Sequence, residues 1–123
     1  MAKILVVDDE APMRKLLKEV LSQDSHEVRE AENGAQASAM FRSDPADLII
    51  TDLRMPDING IDLIMQLRQD YPASRIIAIS GGGGGDGRVD YLAVARQVGA
   101  TQVISKPFQI STLRTAVGEA LSA

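Results

Sequence analysis

The chain has 123 residues, of which 45% are hydrophobic and 24% charged, and this composition is typical of one globular domain with its own core. Its net charge of −4 argues against non-specific nucleic-acid binding, which needs a basic surface, and its lack of cysteine excludes disulfides and thiolate metal sites. No apolar run reaches the roughly 18 residues of a membrane span, and the Met-Ala-Lys start is too short and polar for a secretory signal, so we expect a cytoplasmic protein.

Five short runs of β-branched or apolar residues alternate along the chain with five segments that carry apolar residues at helical spacing. The runs predict strands at residues 3–7, 27–31, 48–51, 75–80 and 101–105. The apolar periodicity predicts helices around residues 13–21, 35–40, 61–67, 89–98 and 110–121. Five β–α pairs in this order predict a single α/β domain with a parallel sheet covered on both faces.

Residues suited to phosphoryl chemistry stand at the ends of four of these strands. They are Asp8 and Asp9 after the first, Asp52 after the third, Ser80 at the end of the fourth and Lys106 after the fifth. Because the carboxyl ends of parallel strands share one edge, we expect these side chains to converge. Carboxylates bind a divalent cation through oxygen, and a lysine and a hydroxyl neutralise phosphoryl oxygens. The sequence therefore predicts a phosphorylation site.

The same residues belong to motifs of a known family. The motifs are Asp8-Asp9, the segment Thr-Asp-Leu-Arg-Met-Pro-Asp-Ile-Asn-Gly at 51–60, Ser80, and Lys106-Pro107-Phe108. With them, the whole chain resembles the receiver domains of two-component response regulators, in particular the stand-alone, chemotaxis-regulator-like members. The resemblance implies one flavodoxin-like, doubly wound (βα)5 receiver domain over residues 1–123, with strand order 2-1-3-4-5 and no output domain attached.

The resemblance also implies a role for each acidic residue. Asp52 would accept a phosphoryl group from a phosphohistidine and would also be a ligand of Mg²⁺. Asp9 would bind Mg²⁺ directly and Asp8 mainly through water, because Mg²⁺ keeps several waters in its octahedral shell. The backbone carbonyl of Arg54 would complete the metal shell.

Ser80 and Lys106 would complete the switch. Family likeness implies a cis Lys106–Pro107 bond, a pairing of Lys106 with Asp52 before phosphorylation, and a later pairing with a phosphoryl oxygen. The Ser80 hydroxyl would bind the phosphoryl group and draw the following loop inward. We expect a signalling module rather than an enzyme, whose only reactions are Mg²⁺-dependent self-phosphorylation and its own dephosphorylation.

Partners are expected on two surfaces. One resembles the region where receivers meet a histidine kinase or a histidine phosphotransfer protein, and it consists of Met13, Arg14, Leu17, Lys18, Pro107 and Phe108. The fourth helix, fifth strand and fifth helix, with Arg96, Val103 and Arg114, would form the output face for a downstream protein that the sequence does not identify. We expect a monomer or weak dimer, no nucleic-acid or membrane partner, and a surface or strand-entry role for His26.

Two departures from the family pattern bear on the mechanism. Receivers commonly carry an aromatic residue three positions before the lysine, and here that residue is Val103. We hypothesise that the glycine-rich segment 81–87 orders on phosphorylation instead, although a solvent loop without a role is an equal alternative. Arg54 and Gly82, each two residues past a site residue, are expected to tune the lifetime of the phosphate.

Other interpretations stay open at this stage. Each site residue taken singly has an ordinary explanation as a helix cap, a strand end, a turn residue or a solvated lysine. Gly82, Gly84 and Gly87 satisfy the dinucleotide-binding spacing G-x-G-x-x-G, but a glycine run satisfies almost any such spacing, and this one follows the fourth strand rather than the first. A third alternative is an interaction domain that is never phosphorylated, which the intact acidic, hydroxyl and lysine positions disfavour.

Overall fold

The computed structural model describes residues 2–53, 60–80 and 91–122. Within these ranges strands and helices alternate in the predicted order. The strands are β1 (Lys3–Val7), β2 (Glu27–Ala31), β3 (Leu48–Asp52), β4 (Ile76–Ser80) and β5 (Gln102–Ser105). The helices are α1 (Ala11–Gln23), α2 (Gly34–Ser43), α3 (Gly60–Asp70), α4 (Tyr91–Val98) and α5 (Ile110–Ser122). None of the helices in the described ranges is long and apolar enough to cross a membrane.

All strand pairs are parallel, and the sheet order is β2-β1-β3-β4-β5. This confirms both the predicted architecture and the order that the family resemblance implied. The register aligns the carboxyl ends of the strands, with Val7 beside Ala31 and Thr51, and Ser80 beside Ser105. Residues that follow these positions therefore emerge at one edge of the sheet.

The core lies on both faces of the sheet, because alternate residues of a strand point to opposite sides. In β1, Leu5 and Val7 pack with residues of α2 and α3, whereas Ile4 and Val6 pack with residues of α1 and α5. Every residue of β3 and β4 is buried. A central strand covered on both faces must be apolar along its length, so the polar site residues are confined to the strand ends.

Close backbone packing joins α3 to the end of β3. The Gly60 N–H donates to the Leu53 carbonyl at 3.0 Å. A Cβ at Gly60 would overlap the carbonyl oxygen of Asp52 and approach the Leu53 Cα to 2.6 Å. Only a residue without a Cβ allows α3 to begin against the segment that carries Asp52.

We expect Gly60→Ala to lower the free energy of unfolding by about 1–3 kcal/mol, because the new methyl group meets backbone that cannot rotate away. The matched control is Gly118→Ala on the exposed side of α5, where an added Cβ meets no atom within 4 Å. That change should raise the free energy of unfolding by about 0.5–1 kcal/mol through helix propensity. Chemical denaturation measures both, and similar effects at the two positions would contradict the close-packing explanation.

Candidate functional site

Buried polar residues mark the carboxyl edge of the sheet. In the described part of the chain they are Asp8, Thr51, Asp52 and Ser80. Sequence reasoning predicted three of them as site residues and missed Thr51, whose hydroxyl donates to the Asp52 carbonyl at 2.9 Å. Burying a polar group costs free energy unless it has a partner. Polar residues at the end of an otherwise apolar strand therefore indicate a functional site that can be recognised in the sequence.

Lys106 joins the acidic residues of this edge. Its Nζ lies 3.0 Å from Asp52 Oδ2 and 3.5 Å from Asp8 Oδ2, and it is 4.0 Å from Glu10 Oε1. Its backbone N–H donates to the Ser80 carbonyl at 2.7 Å. The Lys106–Pro107 peptide bond is cis, as the family resemblance implied. Residues at the carboxyl ends of β1, β3, β4 and β5 are thus brought together, as the strand-end argument predicted.

Burial and pairing act against each other on the ionisable groups. Burial raises the pKa of the Asp8 carboxyl group, and the hydrogen bond from the Glu10 N–H at 2.9 Å and the charge of Lys106 offset that rise only in part. Burial alone would lower the pKa of Lys106, but the hydrogen bond to Asp52 and the charges of Asp52 and Asp8 more than compensate and raise it. The ammonium is therefore retained in its charged form at neutral pH.

The acidic residues that lie closest together are not the set that the sequence predicted. Carboxylate oxygens of Asp8, Glu10 and Asp52 lie within 4.8 Å of one another, and among the described residues this is the group that could hold a metal ion. Asp9 is exposed and is not part of it. Glu10 was missed, although three consecutive acidic residues at a strand end are a visible signal. Metal ligation by Asp9 stays a prediction, and Arg54 lies outside the described residues.

Ser80 presents a buried hydroxyl at this edge. The residue is fully buried, and its Oγ has no hydrogen-bond partner within the described ranges. Such a group is costly to leave unsatisfied, and native proteins keep few of them. The following glycine-rich segment 81–87, with its dinucleotide-like spacing and its hypothesised ordering, lies outside the described residues.

The predicted kinase-facing surface of α1 needs one correction, at Leu17, and the contacts of Arg14 add to its predicted role. Leu17 is only 1% exposed and packs in the core between α1 and the sheet, so its assignment to a docking surface was wrong. Arg14 is 12% exposed and is engaged internally: its NH1 donates to the Asp8 carbonyl at 2.6 Å, and its Nε lies 3.4 Å from Glu30 Oε1. Helical periodicity identifies the face of a helix that carries apolar residues. It does not tell which residues of that face are covered by a neighbouring strand or helix.

The residues of the predicted output face differ in exposure. Arg96 is exposed, whereas Arg114 forms an ion pair with Asp24 at 2.9 Å and Val103 is partly buried against the core. His26 precedes β2 directly, and its Nδ1 accepts a hydrogen bond from the Ala2 N–H at 3.1 Å. This confirms its predicted place at a strand entry.

Comparison with known proteins identifies this combination of sheet and site. Residues 4–118 match the family model described as "Response regulator receiver domain". Chemotaxis protein CheY of Bacillus subtilis is 37% identical over 121 residues, which are 98% of each chain. Sporulation initiation phosphotransferase F of the same organism is 30% identical over 94% of this chain and 90% of its own. The chain therefore belongs to the response regulator receiver domain family, a family of signalling proteins.

Solved structures of receiver domains have the same fold as this chain. The receiver domain of NtrX from Brucella abortus has 30% sequence identity and a TM-score of 0.88, covering 98% of both chains. A response regulator receiver domain protein from Clostridium thermocellum has 29% identity and a TM-score of 0.89, covering 99% of this chain and 95% of its own. Other relatives are longer: the chain spans only 26% of response regulator protein PilR of Pseudomonas aeruginosa, to which it is 34% identical.

The pKa of Asp8 yields a test of the site's electrostatics. Because its folded-state pKa lies above the ordinary 3.8, ionised Asp8 lowers the stability of the fold at pH 7. We expect Asp8→Asn to raise the free energy of unfolding at pH 7 without Mg²⁺. The gain should shrink as the pH falls through the raised pKa and vanish below 3.8, where the carboxyl group is protonated in both states.

Denaturation as a function of pH measures this gain. Asp9→Asn is the matched control, because Asp9 is the exposed neighbour and its substitution should change the stability by less than about 0.5 kcal/mol. A loss of stability in Asp8→Asn at pH 7 would contradict the electrostatic argument.

Proposed function

We propose that this receiver domain is a phosphorylation switch in which Asp52 accepts a phosphoryl group from the phosphohistidine of a histidine kinase or histidine phosphotransfer protein. The observation that carries the proposal is the 3.0 Å contact between Lys106 Nζ and Asp52 Oδ2 at a nearly buried edge. Such a pair presents one carboxylate and, beside it, a cation able to bind the incoming phosphoryl oxygens.

The donor set at this edge fits Mg²⁺, which prefers carboxylate and carbonyl oxygens. Asp8, Glu10 and Asp52 offer oxygens close enough together, and Asp9 and the backbone carbonyl of Arg54 are further ligands that the family likeness supports. When bound, the ion offsets the repulsion between a carboxylate and an anionic phosphoryl group.

The protein's own residues account for the rest of the reaction. An Asp52 carboxylate oxygen forms the new P–O bond as the P–N bond to the donor histidine breaks, and the electron pair of that bond stays on the imidazole. Lys106 exchanges its contact with Asp52 for one with a phosphoryl oxygen. The Ser80 hydroxyl, which is buried without a partner among the described residues, gains an acceptor. Water later hydrolyses the acyl phosphate, and this returns Asp52 to its carboxylate form.

The readout is a changed surface, as in other phosphorylation switches. We assign it to the face of α4, β5 and α5, on which Arg96 is exposed. The donor would approach across the first helix beside Pro107 and Phe108. The relatives whose names describe chemotaxis and sporulation support a signalling role. We place this role in the cytoplasm. We expect a monomer or weak dimer with a protein as its downstream target, and no reaction beyond its own phosphorylation and dephosphorylation.

Intact mass after incubation with Mg²⁺ and acetyl phosphate tests the acceptor. We expect the wild type to gain one phosphoryl group only when Mg²⁺ is present, and Asp52→Asn to gain none. Asp70→Asn is the matched control. Asp70 is an exposed carboxylate at the last residue of α3, whereas the first residue of that helix contacts the segment that carries Asp52, so this substitution should leave the gain of one phosphoryl group unchanged. Mg²⁺-dependent phosphorylation of folded Asp52→Asn would overturn the assignment.

Ser80 gives a second test. We expect Ser80→Ala to raise the stability of the unphosphorylated protein by about 1 kcal/mol, because it removes a buried hydroxyl that has no partner in the described part of the structure. It should also reduce the additional stability that Mg²⁺ and a beryllium fluoride phosphoryl analogue confer on the wild type.

Ser74→Ala is the control for Ser80→Ala. Ser74 carries the other buried Oγ without a partner in the described ranges, and it precedes β4 at the edge remote from the site. Its substitution should also raise the stability but should leave the effect of the analogue unchanged. An unchanged analogue effect in Ser80→Ala would contradict the role of the hydroxyl.

A further inference from the structure

One arginine connects three elements around Asp8. Arg14 lies in the first turns of α1, and its NH1 donates to the Asp8 carbonyl at 2.6 Å. Its Nε lies 3.4 Å from Glu30 Oε1 on β2, and its NH2 lies 3.9 Å from Glu32 Oε1 beyond the end of β2. The side chain is 12% exposed. These contacts use different nitrogens of the planar guanidinium, an arrangement that the single ammonium of a lysine cannot reproduce.

Asp8 itself lies just past the last residue of β1. Its N–H donates to the Ala31 carbonyl at 3.2 Å, and its carbonyl accepts the hydrogen bond from Arg14. Its Oδ1 accepts from the Glu10 N–H at 2.9 Å. The main chain of Asp8 is therefore held on both sides, on one side by the sheet and on the other by Arg14. A charge-assisted bond of this length is the stronger of the two.

We propose that Arg14 is a positioning residue of the phosphorylation site, which fixes the main chain of Asp8 and so the direction of its carboxylate toward Mg²⁺. This inference rests on the proposed function. It gives Arg14 an internal role in addition to the docking role expected from the sequence. Partners that orient a metal ligand without touching the metal typically change metal affinity by 10–100-fold when they are lost.

Electrostatics alone predicts the opposite result. Removing a cation near Asp8, Glu10 and Asp52 would strengthen the attraction of the site for Mg²⁺. Loss of positioning would weaken the binding. The sign of the change therefore separates a positioning role from a general charge effect.

Lys18 provides the matched control on the same helix. Its Nζ lies 3.7 Å from Glu30 Oε2, so it shares the acidic partner of Arg14, but its side chain is 53% exposed and no contact with Asp8 is seen in the described structure. Lys18→Met and Arg14→Met each remove one positive charge next to Glu30. Only Arg14→Met removes the bond to the Asp8 carbonyl.

The experiment measures the Mg²⁺ dissociation constant of each variant by isothermal titration calorimetry, with circular dichroism and denaturation to establish that each is folded. We expect Arg14→Met to bind Mg²⁺ about tenfold more weakly than the wild type. Arg14→Lys keeps the positive charge but loses the planar guanidinium, so we expect this variant also to bind Mg²⁺ more weakly than the wild type. Lys18→Met should bind with wild-type or slightly higher affinity.

Arg14→Lys serves if Arg14→Met fails to fold, because it keeps the positive charge but removes the guanidinium that donates to the Asp8 carbonyl. A general charge effect predicts an unchanged Mg²⁺ affinity for this variant, whereas loss of positioning predicts weaker binding. Unchanged or tighter binding in the folded Arg14 variants would overturn the positioning role while leaving the proposed function intact. A wild-type protein that does not bind Mg²⁺ would overturn the proposed function and this inference together.

Discussion

The ion pair between Lys106 and the carboxylates of Asp8 and Asp52 is the interaction on which the site depends. Two acidic groups taken out of water repel each other, and each loses solvation that only a close cation can replace. The ammonium at 3.0 and 3.5 Å supplies that cation. The compensation is incomplete, because burial still raises the pKa of Asp8. The fold therefore keeps an ionised acidic site that lowers its own stability at neutral pH.

The surrounding fold holds the residues of this edge in place. Buried β3 and β4 leave no freedom in where Asp52 and Ser80 emerge. Gly60 lets α3 begin in contact with the backbone of Asp52, and Arg14 holds the backbone of Asp8 from α1. A charged group that is disfavoured where it stands must be held by its neighbours, since it would otherwise turn toward solvent. The scaffold thus maintains an arrangement that the isolated side chains would not adopt.

Much of this arrangement could be predicted from the sequence, because strand ends in a parallel sheet share an edge. The convergence of Asp8, Asp52 and Lys106 followed from that rule alone, and the strand order came from the family resemblance. The position of the strand ends predicts which residues lie at this edge of the sheet, but it does not predict the direction in which each side chain points. Asp9 and Glu10 follow Asp8 directly, and only the path of the turn into α1 decides which carboxylate faces Lys106. Leu17 is a second example. Helical spacing predicts the face of α1 on which it lies but not how deeply its side chain is buried.

Because residue 103 is valine rather than an aromatic residue, we look to the backbone for a route from the site to the β5 face. The N–H of Lys106 donates to the Ser80 carbonyl, while the ammonium of Lys106 contacts Asp52. The two groups that we propose to bind the phosphoryl oxygens are therefore joined by a main-chain hydrogen bond between the ends of β4 and β5. This bond connects a main-chain displacement of Ser80 to the main chain of Lys106. Because β5 leads from Val103 to Lys106 within four residues of chain, a displacement at the site need not pass through a side chain to alter this face.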